Sequence, residues 1–351
     1  MMLNAVTVQH GKTAGFTLVE LMIALVLGLL VIAGVGSVFL ANQNAYRTNV
    51  ALGEAQESAR ISFEFLARDI RSAGANPCGT ANVESVLNSG GDAMLYTTTA
   101  LEGWDEATEV TFPSNDPDEG PVSVLPDSGA GAPVEGGGGA VRLSSSVDSG
   151  LSLEATTGPR ANVKLQSSTT MFSTGAILMM CDVDKGTVFQ VTNYNSNNTT
   201  VVHNQGGGTP GNLTKCLDHP VPQSPSGDCT TFSPSSYLAI PTNYLWYVGE
   251  NSAGGRSLYR YGRGLESTSG VAEMVRGVWQ MEALYHEQGG DSYVAASAVG
   301  NWDNVDAVRL ELTVRSGGTL PGTAAGAGTD GQPLERVFTS TIAMRNQLNN
   351  N

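Results

Sequence analysis

The side chain most out of place in this chain is a carboxylate. From Phe16 to Ala41 there are 26 residues, and Glu20 carries the only formal charge among them. About 20 apolar residues suffice to cross the hydrocarbon core of a bilayer as a helix. A charge at the centre of such a helix costs roughly 2.5–3.5 kcal/mol on insertion scales, and less near the interface. An acid in that setting asks for a partner.

Other reactive side chains are sparse. Four cysteines, Cys78, Cys181, Cys216 and Cys229, all follow the apolar run. An even number in an extracytoplasmic domain favours disulfides, and four cysteines allow three connectivities. All three stay open on sequence alone. We expect Cys216–Cys229, which closes a short Pro/Ser-rich loop, together with Cys78–Cys181. Zinc is disfavoured, because no C-x2-C spacing occurs and His219 is the only histidine near a cysteine. The remaining histidines are His10, His203 and His286. No H-E-x-x-H, G-x-S-x-G or kinase-type set is present. His286-Glu287 follows a strand and reads as an ordinary exposed turn. Ser/His/Asp triads assemble in space, and nothing in the chain nominates one. We therefore expect no enzyme, no catalytic residue, no metal site and no cofactor.

Three local patterns imitate ligand sites. Gly11-Lys12-Thr13 resembles the end of a phosphate-binding loop, but the first glycine of that motif would fall on Val6. The acidic tract Ser114-Asn115-Asp116-Pro117-Asp118-Glu119-Gly120 lacks the bidentate Glu spacing of an EF-hand loop and reads as a solvated turn. The run Gly136 to Gly139 has no following Lys-Ser/Thr, so it is not a phosphate cradle.

Glu20 must be carried by a helix. Residues 16–73 read as one long helix, since no proline occurs from Phe16 through Asn76. Such a helix spans about 85–90 Å. Gly28, Gly34 and Gly36 each weaken it by roughly 1 kcal/mol in water, yet permit close helix approach in a membrane. After Asn42-Gln43-Asn44 the pattern becomes one-sided, with Ala59, Phe63, Leu66, Ile70 and Ala73 forming an apolar stripe. Glu57 with Arg60 and Glu64 with Arg68 are expected ion pairs on the polar side. Gly74 and Pro77 are stop signals. The stripe reads as packing surface, not as a cofactor site.

Beyond Pro77 the signals are strands and loops. Ala176 to Met180 is a short apolar run. Thr187 to Thr192 and Thr199 to Val202 read as a hairpin around Asn193–Asn198, and Tyr244 to Val248 with Ser257 to Tyr261 as a second. Val278 to Tyr285 is a further strand. Val308, Leu310, Leu312 and Val314 alternate with polar residues, which marks a strand with one buried face. Arg336 to Met344 is the last strand. Residues 113–139 form a tract of weak structural signal. The division expected is a leader at 1–15, a transmembrane half-helix at 16–41, an amphipathic half-helix at 42–75 and a β-rich globular domain at 76–351.

Composition agrees with that division. There are 18 Lys+Arg against 33 Asp+Glu, a net charge of −15, which argues against a general nucleic-acid-binding surface. Charged residues are only 15 % of the chain and glycines number 43, which suits a loop-rich β domain better than a helical bundle.

Gly15-Phe16-Thr17-Leu18-Val19-Glu20, followed by an apolar helix, resembles the processing site of type IV prepilins. The resemblance implies that a prepilin peptidase cuts after Gly15 and methylates Phe16. It implies that Glu20 faces a neighbouring subunit's N-terminal amine. Later pieces are similar to PilW-type minor pilins. They are Met180 to Thr192, Ser257-Leu258-Tyr259-Arg260, Gly277-Val278 leading to Tyr285, Trp302 with Val305 to Leu310, and Val337 through Asn346. The fold implied is α+β and pilin-like, with a long N-terminal helix, half of it transmembrane, packed on a mainly antiparallel β domain with long loops.

Such a protein is implied to be a single-pass inner-membrane subunit that later joins a cell-surface pilus. It would prime assembly and sit at the fibre tip. Its implied partners are other minor pilins, the major pilin, the prepilin peptidase, the inner-membrane assembly platform and a tip adhesin. Three rivals share some of these features. A type II secretion pseudopilin has the same N-terminal logic. A single-pass anchored binding module would not polymerise. A conventional secretory signal cut near Gly34-Val35-Gly36 would discard the apolar helix that a cut at Gly15 keeps.

Overall fold

The computed structural model describes residues 15–79, 83–88, 99–111, 123, 125–155, 162–206, 210–217, 229, 231–263, 270–316 and 333–346. The leader before Gly15, the acidic tract 114–120, His10 and His219 lie outside them. One helix, α1 (Leu18–Ser72), runs for 55 residues. The strands follow in chain order: β1 (Val83–Ser85), β2 (Leu101–Trp104), β3 (Ala140–Ser152), β4 (Val163–Lys164), β5 (Ile177–Cys181), β6 (Gly186–Gln190), β7 (Asn193–Tyr194), β8 (Thr200–Val202), β9 (Tyr237–Glu250), β10 (Arg256–Arg263), β11 (Gly270–Arg276), β12 (Val278–Glu287), β13 (Tyr293–Val294), β14 (Val305–Arg315) and β15 (Glu335–Ala343). The architecture is α+β, as expected.

The 14-residue β9 is the hub of an eight-stranded sheet. It pairs antiparallel with β10 and β5 on one side and with β3 on the other. The β9–β10 hairpin is the one expected from the two aromatic runs. The other expected hairpin is only partly present. β7 and β8 pair around the Asn-rich loop, but β6 is taken by β5 and, in parallel, by β1. All five residues of β6 are buried, so it belongs inside a sheet and not in a surface hairpin.

A second sheet has the order β13-β12-β14-β15. In β14 the buried positions are Val305, Val308, Leu310, Leu312 and Val314, so the period-two reading holds there. The Gly136–Gly139 run joins the two sheets. Gly139 N donates to Met281 O at 2.9 Å, and Met281 N donates to Gly137 O at 3.0 Å. A Cβ on Gly138 would run into the Met281 carbonyl, which is why glycine stands there.

The second half of α1 packs against this body. Its buried face is Ala51, Ala55, Ser58, Ala59, Ser62, Leu66, Ala67, Asp69 and Ile70. These touch a core that contains Trp246, Val248, Leu258, Met281, Tyr285, Leu310, Leu312 and Ile342. Small residues at 51, 55, 58, 59 and 62 let the helix backbone lie close to the sheets. Phe63, expected in the stripe, is only half-buried at its margin. The ion pairs differ from expectation at one end. Arg60 bridges Glu57 (2.7 Å) and Glu64 (3.0 Å), while Arg68 turns instead to Asp69 at 3.5 Å. Both expected disulfides are formed, Cys78–Cys181 and Cys216–Cys229.

Candidate assembly helix

The N-terminal end of α1 is built by three residues. Thr17 is the N-cap: its Oγ1 accepts from Glu20 N at 3.2 Å. Glu20 Oε2 in turn accepts from Thr17 N and from Thr17 Oγ1, both at 3.1 Å. This is a reciprocal capping box, which satisfies orphan donors of the first turn. It also sets the carboxylate where the positive end of the helix dipole favours it. The sequence T-x-x-E signals such a box, and the sequence reading of Glu20 as an intersubunit partner passed over it. Just outside stand Gly15 and Phe16, both exposed, with Phe16 at 88 %.

From Leu18 to Val50 not one residue of the helix is buried. Leu18, Leu21, Leu25, Leu29, Ile32, Val35 and Phe39 are all bare. The helix is long and apolar enough to cross a membrane, by length and composition. Gly28, Gly34, Gly36 and Gly53 have open space on the Cβ side. A bare apolar surface of this size on a folded chain marks a lipid or protein contact.

The opposite end of α1 is fastened by a buried acid that sequence reasoning missed. Asp69 is 7 % exposed. Its Oδ2 accepts from Trp246 Nε1 at 3.1 Å and lies 3.9 Å from an Arg260 guanidinium nitrogen. Arg260 itself stacks over the Tyr244 ring at 4.2 Å. Burial pushes the Asp69 carboxyl above the usual range, against the opposing pull of Arg260, Arg68 and the Trp246 hydrogen bond. No spacing rule singles out Asp69, because its partners lie some 180 residues away. The signal available was an acid on the apolar side of the helix, next to Ile70. At the helix end, Asn346 Nδ2 donates to Ala73 O at 3.0 Å, so the last described residues return to the helix. Tyr237 Oη donates to Pro77 O and Cys78–Cys181 ties the following turn to β5.

His286 and Glu287 are not an ordinary turn. They end β12. His286 Nδ1 meets Asp306 Oδ1 at 2.6 Å and Nε2 meets Gly290 O at 2.9 Å. The Glu287 carboxylate accepts from Gly300 N and Asn301 N. Their role is to fix the loop beyond β12, since each side chain spends its polar atoms on a local partner. His203 is buried among the β6–β8 strands, against Phe189. Among the described residues, no three of His, Cys, Asp and Glu come together as a metal-binding group.

The chain thus consists of a domain-docked half-helix that continues, without a break, into a bare apolar half-helix. Two family models match it. Residues 11–36 match the prokaryotic N-terminal methylation motif, and residues 245–346 match type IV pilus-assembly protein W. The class is therefore that of type IV prepilin-like proteins. The second match, which runs from mid-β9 to beyond β15, makes that part of the chain similar to minor pilins of the PilW type. Searches among curated proteins and among solved structures give no match. Pilin-family domains are structural subunits.

Proposed function

We propose that this chain is a minor type IV pilus subunit that primes fibre assembly and sits at the tip. In this reading a prepilin peptidase cuts between Gly15 and Phe16, and residues 16–41 hold the subunit in the inner membrane. The β domain lies on the extracytoplasmic side, where both disulfides form. On assembly the apolar half leaves lipid for the helices of other minor pilins and of the major pilin. The observation that carries the reading is the bare half of α1 with a lone carboxylate at its start. Lipid covers it before assembly, and sister helices cover it afterwards.

The partners proposed beyond other pilins are the peptidase, the assembly platform of the inner membrane and a tip adhesin. The test is fractionation of cells that express the native chain. Recovery in sheared surface fibres, at low abundance relative to the major subunit, supports the reading. Retention in the membrane fraction of fibre-producing cells contradicts it, and favours a secretion pseudopilin or a non-polymerising anchored module.

A further inference from the structure

The four-stranded sheet ends in a long edge. β15 pairs with β14 in continuous register over nine residue pairs, from Ala307↔Ala343 to Arg315↔Glu335, without a bulge. The hydrogen-bond phase of that ladder is fixed at both ends. Met344 N donates to Asp306 O at 2.8 Å, and Ser316 N donates to Leu334 O at 2.9 Å. Hydrogen-bonded and non-bonded pairs alternate in an antiparallel ladder. Even-numbered residues of β15 therefore aim their N–H and C=O at β14. The odd-numbered Val337, Thr339, Thr341 and Ala343 aim theirs away from it. Among the described residues, nothing pairs with that outer row.

The same four residues have exposed side chains, with Val337 at 60 %. Isolated edges are commonly blunted by Lys, Pro, a bulge or shortness. β15 has nine residues with no Lys, Pro or bulge, and its charges, Glu335 and Arg336, stand only at its first two positions, which leaves Val337 to Ala343 without such a device. The ends of the sheet paths through β1, β11 and β13 are guarded. β1 and β13 have three and two residues. β11 is kinked by a register shift opposite Leu258/Tyr259 and carries the Glu273–Arg276 ion pair.

We propose that the outer edge of β15 is a strand-addition site that takes an extended segment of a different subunit in the fibre. This rests on the pilin reading. Two features of the molecule select that occupant. β15 belongs to the sheet against which α1 packs, so the edge is continuous with the helix that meets neighbouring subunits. A second copy joined edge to edge in one continuous sheet would need a two-fold axis normal to the sheet. Because α1 lies along the sheet face, that axis would reverse one α1 relative to the other, and two helices anchored in one bilayer run the same way. The exposed Val337, Thr339 and Thr341 are β-branched and uncharged, and suit main-chain pairing with little demand on the partner's side chains.

The test uses the full chain. Amide exchange of the β15 segment is compared between the protein in micelles and the protein in sheared fibres. Backbone amides of Val337, Thr339, Thr341 and Ala343 should exchange at least roughly tenfold more slowly in fibres. Unchanged exchange in fibres overturns the proposal and leaves the pilin reading standing, whereas absence from fibres overturns both.

Proline variants give a second readout. Thr339→Pro and Thr341→Pro remove only outward N–H groups, which an edge strand tolerates. They should melt like the wild type and be depleted from fibres. Thr339→Val, which keeps the backbone donor, should be incorporated normally. Ser340→Pro breaks the inward ladder and serves as the unfolding control. Wild-type incorporation of the folded Thr339→Pro protein overturns the proposal. Slower exchange in micelles as protein concentration rises would mean self-pairing, and also overturns it.

Discussion

Glu20 has two candidate roles, and two substitutions separate them. In the free chain its Oε2 closes the capping box with Thr17 N and Oγ1, each at 3.1 Å. Glu20→Gln keeps an oxygen that accepts both bonds and removes only the charge. Glu20→Ala removes the charge and the carboxylate half of the box, while Thr17 Oγ1 can still accept from the backbone amide of residue 20. A hydrogen bond to a charged group, such as a neighbour's N-terminal amine, contributes about 1.5–3 kcal/mol. Each 1.4 kcal/mol is about tenfold in an equilibrium. If assembly depends on the charge, Glu20→Gln should lower incorporation by roughly ten- to a hundredfold, and Glu20→Ala by at least as much. Insertion into the membrane should be unimpaired in both, because removing a charge from an apolar run favours insertion. The assay is the amount of chain in sheared fibres relative to the amount in membranes. The reasoning is refuted if Glu20→Gln is incorporated within about twofold of the wild type while Glu20→Ala is depleted. In that case the carboxylate serves its own helix.

Three further predictions concern the body of the protein. Ile70 is fully buried on the docked face of α1, so Ile70→Ala should cost about 2–5 kcal/mol in urea unfolding of the full chain in micelles, followed by tryptophan emission. A loss below about 1 kcal/mol would mean that this face does not hold the domain. Asp69 sits outside the apolar half of α1, and burial raises its carboxyl pKa. The folded state then keeps a proton that the unfolded chain has already lost, so Asp69 lowers stability as pH rises from the ordinary Asp range through the raised value. Asp69→Asn should gain on the wild type over that interval. An advantage that shrinks as pH rises would contradict the assignment. Gly138 and Gly136 both have positive φ, but only Gly138 lies against backbone. Gly138→Ala should sharply lower the melting temperature, and Gly136→Ala should lower it only slightly, at about 1–2 kcal/mol for the left-handed conformation. Equal effects would show that the Gly138–Met281 bridge does not join the sheets.

Local patterns carried much of this architecture. The alternation of β14, the aromatic β9–β10 hairpin and the apolar start of α1 are all visible within a few residues, because burial on one face imposes a period. Both disulfides matched the expected pairing, since a sequence separation of 13 between Cys216 and Cys229 makes that pair local. What sequence hid was long-range or two-valued. Asp69, Trp246 and Arg260 meet only when α1 docks on the hub strand. The role of Gly136–Gly139 depends on the backbone of β12, far along the chain. β6 looked like half of a hairpin because its β-prone residues do not say which neighbour pairs with them. The docked face of α1 was underread at Ala51, Ala55, Ser58 and Ser62, where small size matters more than hydrophobicity. Glu20 was legible as an anomaly, while its cap with Thr17 is a local competitor for the same carboxylate.

The most direct test of the whole account is the mass of the N-terminal peptide of the native protein. It should begin at Phe16 and carry one added methyl group, with the apolar helix retained. A chain that begins at Met1, or at any residue beyond Gly34, would contradict the account.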